Sequence, residues 1–377
     1  MRIGLVCPYN YYRPGGVQIC ITELAKELSA RGHYVRIIAP KPRRLPAEHH
    51  DNVILLGGSA ELNTFATKAD VGISVSNEKL DAMLAEQNFD VLHFHEPGVP
   101  LLSMQLMARS KAAHVATMHA TLPEGVVTKS YQKLMQPAAK FIEPRTDVLT
   151  AVSTVAQATA HMFTSSADIR VIPNGIRLMD YLPTKKNTKT KKQKTIVYVG
   201  RLEKRKGVKY LLKAFARLRQ EHHGIRLVIA GNGDLKPTLE AYVARHDIPD
   251  VDFLGFVPEK DKIRLLQASD IYCSPALYGE SFGIVLLEAM AAGCVAVAGN
   301  NPGYASVMTG RGRLSLVNPE STEDFAQRLE LMLFDTDIRA LWIDWATKYV
   351  KQFDYADVVD QYEQAYKDAR KIRAKRV

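Results

Sequence analysis

The chain opens with Arg2-Ile3-Gly4-Leu5-Val6-Cys7-Pro8-Tyr9-Asn10-Tyr11-Tyr12-Arg13-Pro14-Gly15-Gly16-Val17. A short apolar run stops at a proline, passes through a polar loop and reaches a glycine pair. Val17, Ile21, Leu24 and Leu28 then recur at helical spacing, so strand, glycine loop and amphipathic helix follow in order. Glycine at the mouth of such a helix lets a ligand approach the backbone, and the free N–H groups there favour an anion. The same alternation continues along the chain. Strands are expected at 2–7, 34–39, 91–95, 114–119 and 148–152, then at 195–200, 226–230, 252–255, 271–274 and 295–298. Strands alternating with amphipathic helices are the pattern of parallel sheets covered by helices. With 377 residues, more than one core usually holds, the expectation is two Rossmann-like α/β domains.

Composition narrows the class. Hydrophobic residues make up 46% and charged residues 24%, which suits a folded enzyme and excludes a largely disordered chain. The formal charge of +10 is concentrated in two runs: six lysines within 185–194, and six basic residues with Asp368 within 367–376. The remainder is close to neutral. The first run is polar and lacks apolar periodicity, so it reads as an exposed loop just inside the second domain. Cys7, Cys20, Cys273 and Cys294 are scattered without a C-x-x-C pair, which argues against disulfides or structural zinc and suits a reducing cytoplasm. No segment reads as a signal peptide or membrane span, so membrane contact is expected to be peripheral at most, at the inner face.

Three segments carry chemistry. Gly16 is the first, at the glycine-mouthed helix. The second is Gly200-Arg201-Leu202-Glu203-Lys204-Arg205-Lys206-Gly207, directly after a strand, where open parallel sheets place ligands. Arg201 and Lys206 could both reach a diphosphate, although a Lys-Arg-Lys run by itself reads more readily as a solvated cluster. The third is Tyr278-Gly279-Glu280-Ser281-Phe282-Gly283-Ile284, continuing to Glu288. N–H groups of Ser281, Phe282, Gly283 and Ile284 suit phosphates, and carboxylates accept hydrogen bonds from vicinal hydroxyls. Glu280 then suits a sugar ring and Glu288 a ribose; the competing reading is a helix N-terminal acid and a surface acid.

These motifs resemble the family 4 glycosyltransferases, whose second domain carries E-x7-E, a G-R…K-G loop and an I-P-N-G segment, here Glu280 with Glu288, Arg201 with Lys206, and Ile172-Pro173-Asn174-Gly175. The resemblance implies the GT-B fold, two Rossmann-like domains facing a central cleft. It implies an acceptor-side domain of residues 1–170, a nucleotide-sugar domain of 171–356, and a last helix, about 357–377, crossing back to the first domain. Met1-Arg2-Ile3-Gly4, Val6-Cys7-Pro8-Tyr9, Pro14-Gly15-Gly16-Val17-Gln18 and His93-Phe94-His95-Glu96-Pro97 resemble the phosphatidylinositol mannosyltransferase branch. That branch implies GDP-mannose as donor, transfer with retention, and a lipid acceptor such as phosphatidylinositol. By motif match, Gly16 contacts the diphosphate, His119 hydrogen-bonds the transferred sugar, and Val257, Glu259 and Lys262 lie near the base. His119, Arg201, Lys206 and Glu280 are the catalytic candidates. Tyr9, Pro14, Gly15, His95, Glu96 and Lys129 are the acceptor-side candidates. The resemblance weakens at the acceptor: where the lipid-acceptor relatives use arginines, this chain has Glu61 and Asn63, so a different lipid or a soluble glycan is the alternative.

No metal and no resident cofactor are expected. His93, His95, Glu96 and His119 lack a zinc spacing, His93 reads as core, and neither Asp250-Val251-Asp252 nor Asp335-Thr336-Asp337 follows a strand at a phosphate loop. Gly231-Asn232-Gly233 begins like a dinucleotide fingerprint but lacks the third glycine, which disfavours a nicotinamide oxidoreductase. The basic runs contain no aromatic residue, which disfavours nucleic-acid binding. A sugar-nucleotide epimerase or hydrolase, or use of a UDP- or ADP-sugar, remains a related alternative. The basic loop and tail could also meet an anionic membrane surface, or simply confer solubility.

Overall fold

The computed structural model describes all residues except 14, 45–49, 65–66, 74, 100, 122–128, 162–163, 165–167, 183–192 and 377. Two compact units emerge: Met1–Gly175 with Tyr355–Val377, and Ile176–Asp354.

The first unit is built on a parallel sheet in the order β3-β2-β1-β6-β7-β8-β9. Its strands are β1 (Arg2–Val6), β2 (Tyr34–Pro40), β3 (Val53–Leu56), β6 (Val91–His95), β7 (Ala113–Met118), β8 (Val148–Ala151) and β9 (Ile169–Val171). An antiparallel hairpin, β4 (Ser59–Thr64) with β5 (Thr67–Gly72), is inserted between β3 and β6. The helix Gly16–Ala30 buries Cys20, Ile21, Leu24, Ala25 and Leu28, so the expected apolar face is the one that packs. β3, the hairpin and β9 were not expected. Because β9 pairs with β8, the first unit runs on to Gly175 instead of ending at residue 170.

The helix Tyr355–Arg376 belongs to this first unit. It buries Val358, Val359, Tyr362 and Tyr366 in the core beside β1, β2 and the helix Gly16–Ala30. Its arginines are spent on the same unit. Arg373 and Arg376 both pair with the fully buried Asp147 carboxylate, at 2.9 and 3.2 Å. Arg170 reaches Asp368 at 2.8 Å from β9.

The second unit has a parallel sheet in the order β12-β11-β10-β13-β14-β15. The strands are β10 (Lys194–Val199), β11 (Ile225–Ala230), β12 (Val251–Gly255), β13 (Ile271–Ser274), β14 (Val295–Gly299) and the two-residue β15 (Leu316–Val317). In each sheet the order reverses beside its first strand, between β1 and β6 and between β10 and β13. Loops at the carboxyl ends of those strands open on the topological switch point, where such sheets bind ligands.

Glycines let the loops of the second unit close on one another. A Cβ on Gly231 would lie 1.8 Å from the Gly200 carbonyl oxygen, and one on Gly233 would lie 2.4 Å from that of Leu202. The Gly231-Asn232-Gly233 turn therefore serves loop packing, and the Leu202 amide donates to the Asn232 carbonyl at 2.9 Å. Gly207, at φ 69°, closes a 3-10 turn over Lys204–Lys206 and sits where a Cβ would meet the Pro275 carbonyl oxygen at 2.1 Å. Gly207→Ala is expected to lower unfolding free energy by more than about 1 kcal/mol, since it combines an unfavourable φ with a backbone clash. Thermal or urea unfolding checks this, and an unchanged midpoint would contradict it.

Candidate active site

The switch point of the second unit gathers most of the donor-side candidates. The 3-10 turn after β10 carries Arg205 and Lys206, and the loop after β13 carries Glu280. Arg205 Nη1 lies 2.6 Å and Lys206 Nζ 2.7 Å from the same Glu280 oxygen. Burial works to raise the Glu280 carboxyl's pKa, but Lys206 and Arg205 outweigh it and hold the group below the ordinary carboxylate value. Arg205 is also anchored to Glu203 at 3.1 Å and has only 10% of its side chain exposed. Its sequence setting gave no hint of this, since Lys-Arg-Lys reads as a solvated run. Arg201 differs: its side chain is 47% exposed and pairs with Glu203 at 2.8 Å.

Eight residues on, Glu288 is buried within the helix Ile284–Ala291. Lys262 Nζ reaches both its oxygens, at 2.9 and 2.8 Å, and also Glu259 at 2.8 Å. Burial raises the Glu288 carboxyl above its usual value, and Lys262 opposes that only in part. The Tyr181 hydroxyl donates to Glu259 at 2.8 Å, which places Tyr181 in a cluster that sequence reading missed. Its partners lie far off in sequence, so no local signal marks it. Val257 sits half-buried at the start of this segment, one residue before Pro258, which caps the helix Glu259–Ala268.

The Ser281-Phe282-Gly283 turn joins the two carboxylates. Gly283 adopts φ 93° as the N-cap of the Glu288 helix, and a Cβ there would meet the Tyr304 ring at 2.7 Å. Phe282 is buried edge-on to Phe353, at 5.8 Å between ring centroids. N–H groups of Gly283 and Ile284 thus stand at the first turn of a helix, with cations on the loop beside them.

In the first unit, the loop after β1 leads to Gly15, the extended N-cap of the helix Gly16–Ala30. A Cβ on Gly16 would meet nothing within 4 Å, so the helix mouth is open. Tyr9 pairs with Val71 of β5, and Asn10 Nδ2 reaches Asp70 at 3.3 Å, which straps the loop to the hairpin. Arg13 lies between Glu61 and Asp70, at 3.9 and 3.7 Å. At the ends of β6 and β7, His95 Nδ1 is 2.8 Å from His119 Nε2, and the Glu96 carboxylate accepts from the His119 and Ala120 amides. Burial lowers the His93 and His119 imidazoles to about 3, so both are neutral near pH 7. His93 is fully buried, as expected of a core residue. Pro14 lies outside the described residues; Lys129 begins the helix Lys129–Ile142, and its side chain lies outside them too.

Asp250 pairs with Arg219, and Asp335 caps the helix Thr336–Tyr349 through the amides of Asp337 and Ile338. Among the described residues, the grouping with ligand atoms within 4.8 Å of one another is Glu221, His222 and Glu330, none of which belongs to either switch point.

Two Rossmann-like units with these loops define a GT-B glycosyltransferase. Family profiles agree: "Glycosyltransferase Family 4" matches residues 14–179 and "Glycosyl transferases group 1" matches 183–349. The chain is 32% identical over 373 residues to a phosphatidyl-myo-inositol mannosyltransferase of Mycolicibacterium smegmatis, covering 97% of this chain and 93% of that protein. It is 33% identical over 318 residues to the enzyme of the same name from Propionibacterium freudenreichii, covering 82% and 80%. Among solved structures, a glycosyltransferase from Rickettsia africae superposes with a TM-score of 0.76 at 18% identity, covering 97% and 98% of the two chains. Sucrose-phosphate synthase from Thermosynechococcus elongatus gives 0.74 at 20%, covering 97% and 98%. The chain belongs to the family 4 glycosyltransferases.

Glu96 offers a test of the first-unit geometry. Burial lifts its carboxyl to about 7, against the pull of the Ala120 and His119 amides. A folded-state value above the unfolded one means that the group's contribution to stability is full below the unfolded value and is lost as pH rises through about 7. At about 1.36 kcal/mol per pKa unit, the loss is at most about 3 kcal/mol. The melting temperature of Glu96→Gln relative to the native chain is therefore expected to rise between pH 5 and pH 8. A difference that stays flat would contradict the burial of a charged Glu96.

Proposed function

We propose that this glycosyltransferase moves a hexose, mannose from GDP-mannose, to a lipid acceptor with retention and without a metal. The observation that carries the donor side is the pair of carboxylates, Glu280 largely buried and Glu288 fully so, each held by a lysine in the second unit. Carboxylates so fixed accept from vicinal hydroxyls, while Lys206, Arg205 and the helix N-terminus at Gly283 suit a diphosphate. The names of the two relatives support mannose as the sugar.

Departure of the nucleotide leaves negative charge on its β-phosphate. In this reading Lys206 and Arg201 stabilise that charge, His119 orients the sugar, and the leaving phosphate accepts the acceptor's proton on the same face. Fixed donors aimed at developing charge typically supply about 2.7 to 4 kcal/mol each. Arg201→Ala and Lys206→Ala are each expected to lower turnover on the order of 10²-fold. Near-native turnover in both would sink the assignment, and trapping a covalent glycosyl-enzyme would refute same-face substitution.

The donor is identified by thermal shift with GDP-, UDP- and ADP-sugars, with and without a chelator. A ligand at about 100 times its Kd adds roughly 2.7 kcal/mol to stability. GDP-mannose is expected to give the largest shift, unaffected by chelator. A larger shift with a UDP- or ADP-sugar would replace it.

A second reading of the acceptor has its own observation. Glu61 and Asp70 are direct cross-strand partners on the hairpin, with Arg13 beside both. Like charges placed opposite each other disfavour a phosphate there and favour a hydroxyl-rich, uncharged headgroup. Product analysis with phosphatidylinositol and with a neutral glycolipid separates the two.

A further inference from the structure

Three polar side chains at the end of β6 have three different tasks. His93 closes a polar staple to the last helix: its Nδ1 is 2.9 Å from the Tyr366 hydroxyl and its Nε2 is 2.6 Å from Thr117 Oγ1. Thr117 continues to Thr150 at 2.6 Å, and Thr150 donates to the Ala116 carbonyl at 3.3 Å. Every donor is placed if the chain runs from Tyr366 through His93 and the two threonines to that carbonyl, so both nitrogens of His93 are used within the core.

His95, two residues on and on the same face of the strand, is also fully buried. Its ring lies between those of His93 and His119, at 4.2 and 5.0 Å between centroids. The polar contact of His95 is Nδ1 to His119 Nε2 at 2.8 Å, and its Nε2 has no partner among the described residues. Glu96 turns the backbone through φ 51°, a left-handed conformation that costs a non-glycine residue about 1 to 3 kcal/mol. That turn carries its carboxylate across to the amides of His119 and Ala120. The ring of His119 is thus held by His95 and its backbone amide by Glu96, consecutive residues at the end of the neighbouring strand.

We propose that His95 and Glu96 are positioning residues for His119, not contacts of the acceptor, and that Nδ1 is the His119 nitrogen presented to the ligand. The proposal rests on the reading in which His119 orients the transferred sugar. One proton serves the contact between the two rings, so their tautomers are locked together: His119 keeps its proton on Nδ1 when His95 donates and on Nε2 when His95 accepts. Neutrality of both rings near pH 7 is consistent with this, since burial holds both below the ordinary imidazole value. His119 is then a fixed hydrogen-bonding group with one free edge, not a proton-transfer group.

The test pairs kinetics with ¹⁵N NMR of histidine-labelled protein. His95→Leu removes the contact to His119 Nε2, whereas His95→Asn keeps a hydrogen-bonding atom near the Nδ1 position. His95→Leu is expected to lower kcat on the order of 10²-fold, the usual penalty for a misplaced catalytic contact, with acceptor KM within about threefold of native. His95→Asn recovers most of that loss. In the native chain His119 gives one tautomer that does not change between pH 5 and pH 9; in His95→Leu its two ring nitrogens average or titrate. A raised acceptor KM with kcat intact would return His95 to the acceptor site and overturn the proposal. So would a His119 spectrum that His95→Leu leaves unchanged. The NMR arm needs no substrate: native kcat in His119→Ala would refute the sugar-orienting reading, while the ring contact would stand or fall on the spectra.

Discussion

The architecture of the second unit turns on one carboxylate, Glu280, shared by Arg205 and Lys206. This contact joins the loop after β10 to the loop after β13 across the switch point. Neighbouring details serve it. Gly207 brings the 3-10 turn against Pro275, the Leu277 amide donates to the Arg205 carbonyl at 2.8 Å, and Gly303 leaves room for the Glu280 carbonyl, which a Cβ would approach to 1.8 Å. A largely buried ion pair contributes little net stability, because desolvation offsets much of the attraction. Its effect is registry: with Glu280 removed, two cations would face each other in a nearly closed space, and the loops would lose the reason to keep that spacing.

The two units solve the same topological problem with opposite electrostatics. In the second, cations are paired to carboxylates on either side of the Ser281-Phe282-Gly283 turn, so the charges there are already placed. In the first, the strand ends present neutral imidazoles and a carboxylate whose charge is costly to bury. The second unit's switch point is therefore charged and internally compensated, whereas the ends of β6 and β7 carry buried neutral imidazoles. The electrostatic difference follows from which segments carry lysine and which carry histidine, not from any difference in fold.

How far the sequence revealed this depends on how local each signal is. Val295–Gly299 and Ile271–Ser274 were legible because fully buried parallel strands read as largely apolar runs. The hairpin was not, since Ser59–Thr64 and Thr67–Gly72 mix small and charged residues without clean alternation, and three-residue β9 and two-residue β15 are too short to show a period. Glu280 and Glu288 were visible because one continuous segment sets both. Arg205 was undervalued and Tyr181 unseen because their burial comes from partners 75 and 78 residues away, at Glu280 and Glu259.

Charge shows the same dependence on place. The basic tail read as a single cationic run, but the helix Tyr355–Arg376 sorts it by residue type. Arg373 and Arg376 close on Asp147, and Arg370 lies 3.5 Å from Asp90, where planar forks can share carboxylates and carbonyls. Lys367, Lys371 and Lys375 are exposed and recur every fourth residue, one row along the helix. Each of these arginines is thus paired with an acid of the first unit, with Arg373 largely covered and Arg370 and Arg376 about half exposed. A tail that contributes five net charges on paper therefore has three of its six cations partnered to acids of its own unit, which leaves a smaller local field than the count implies.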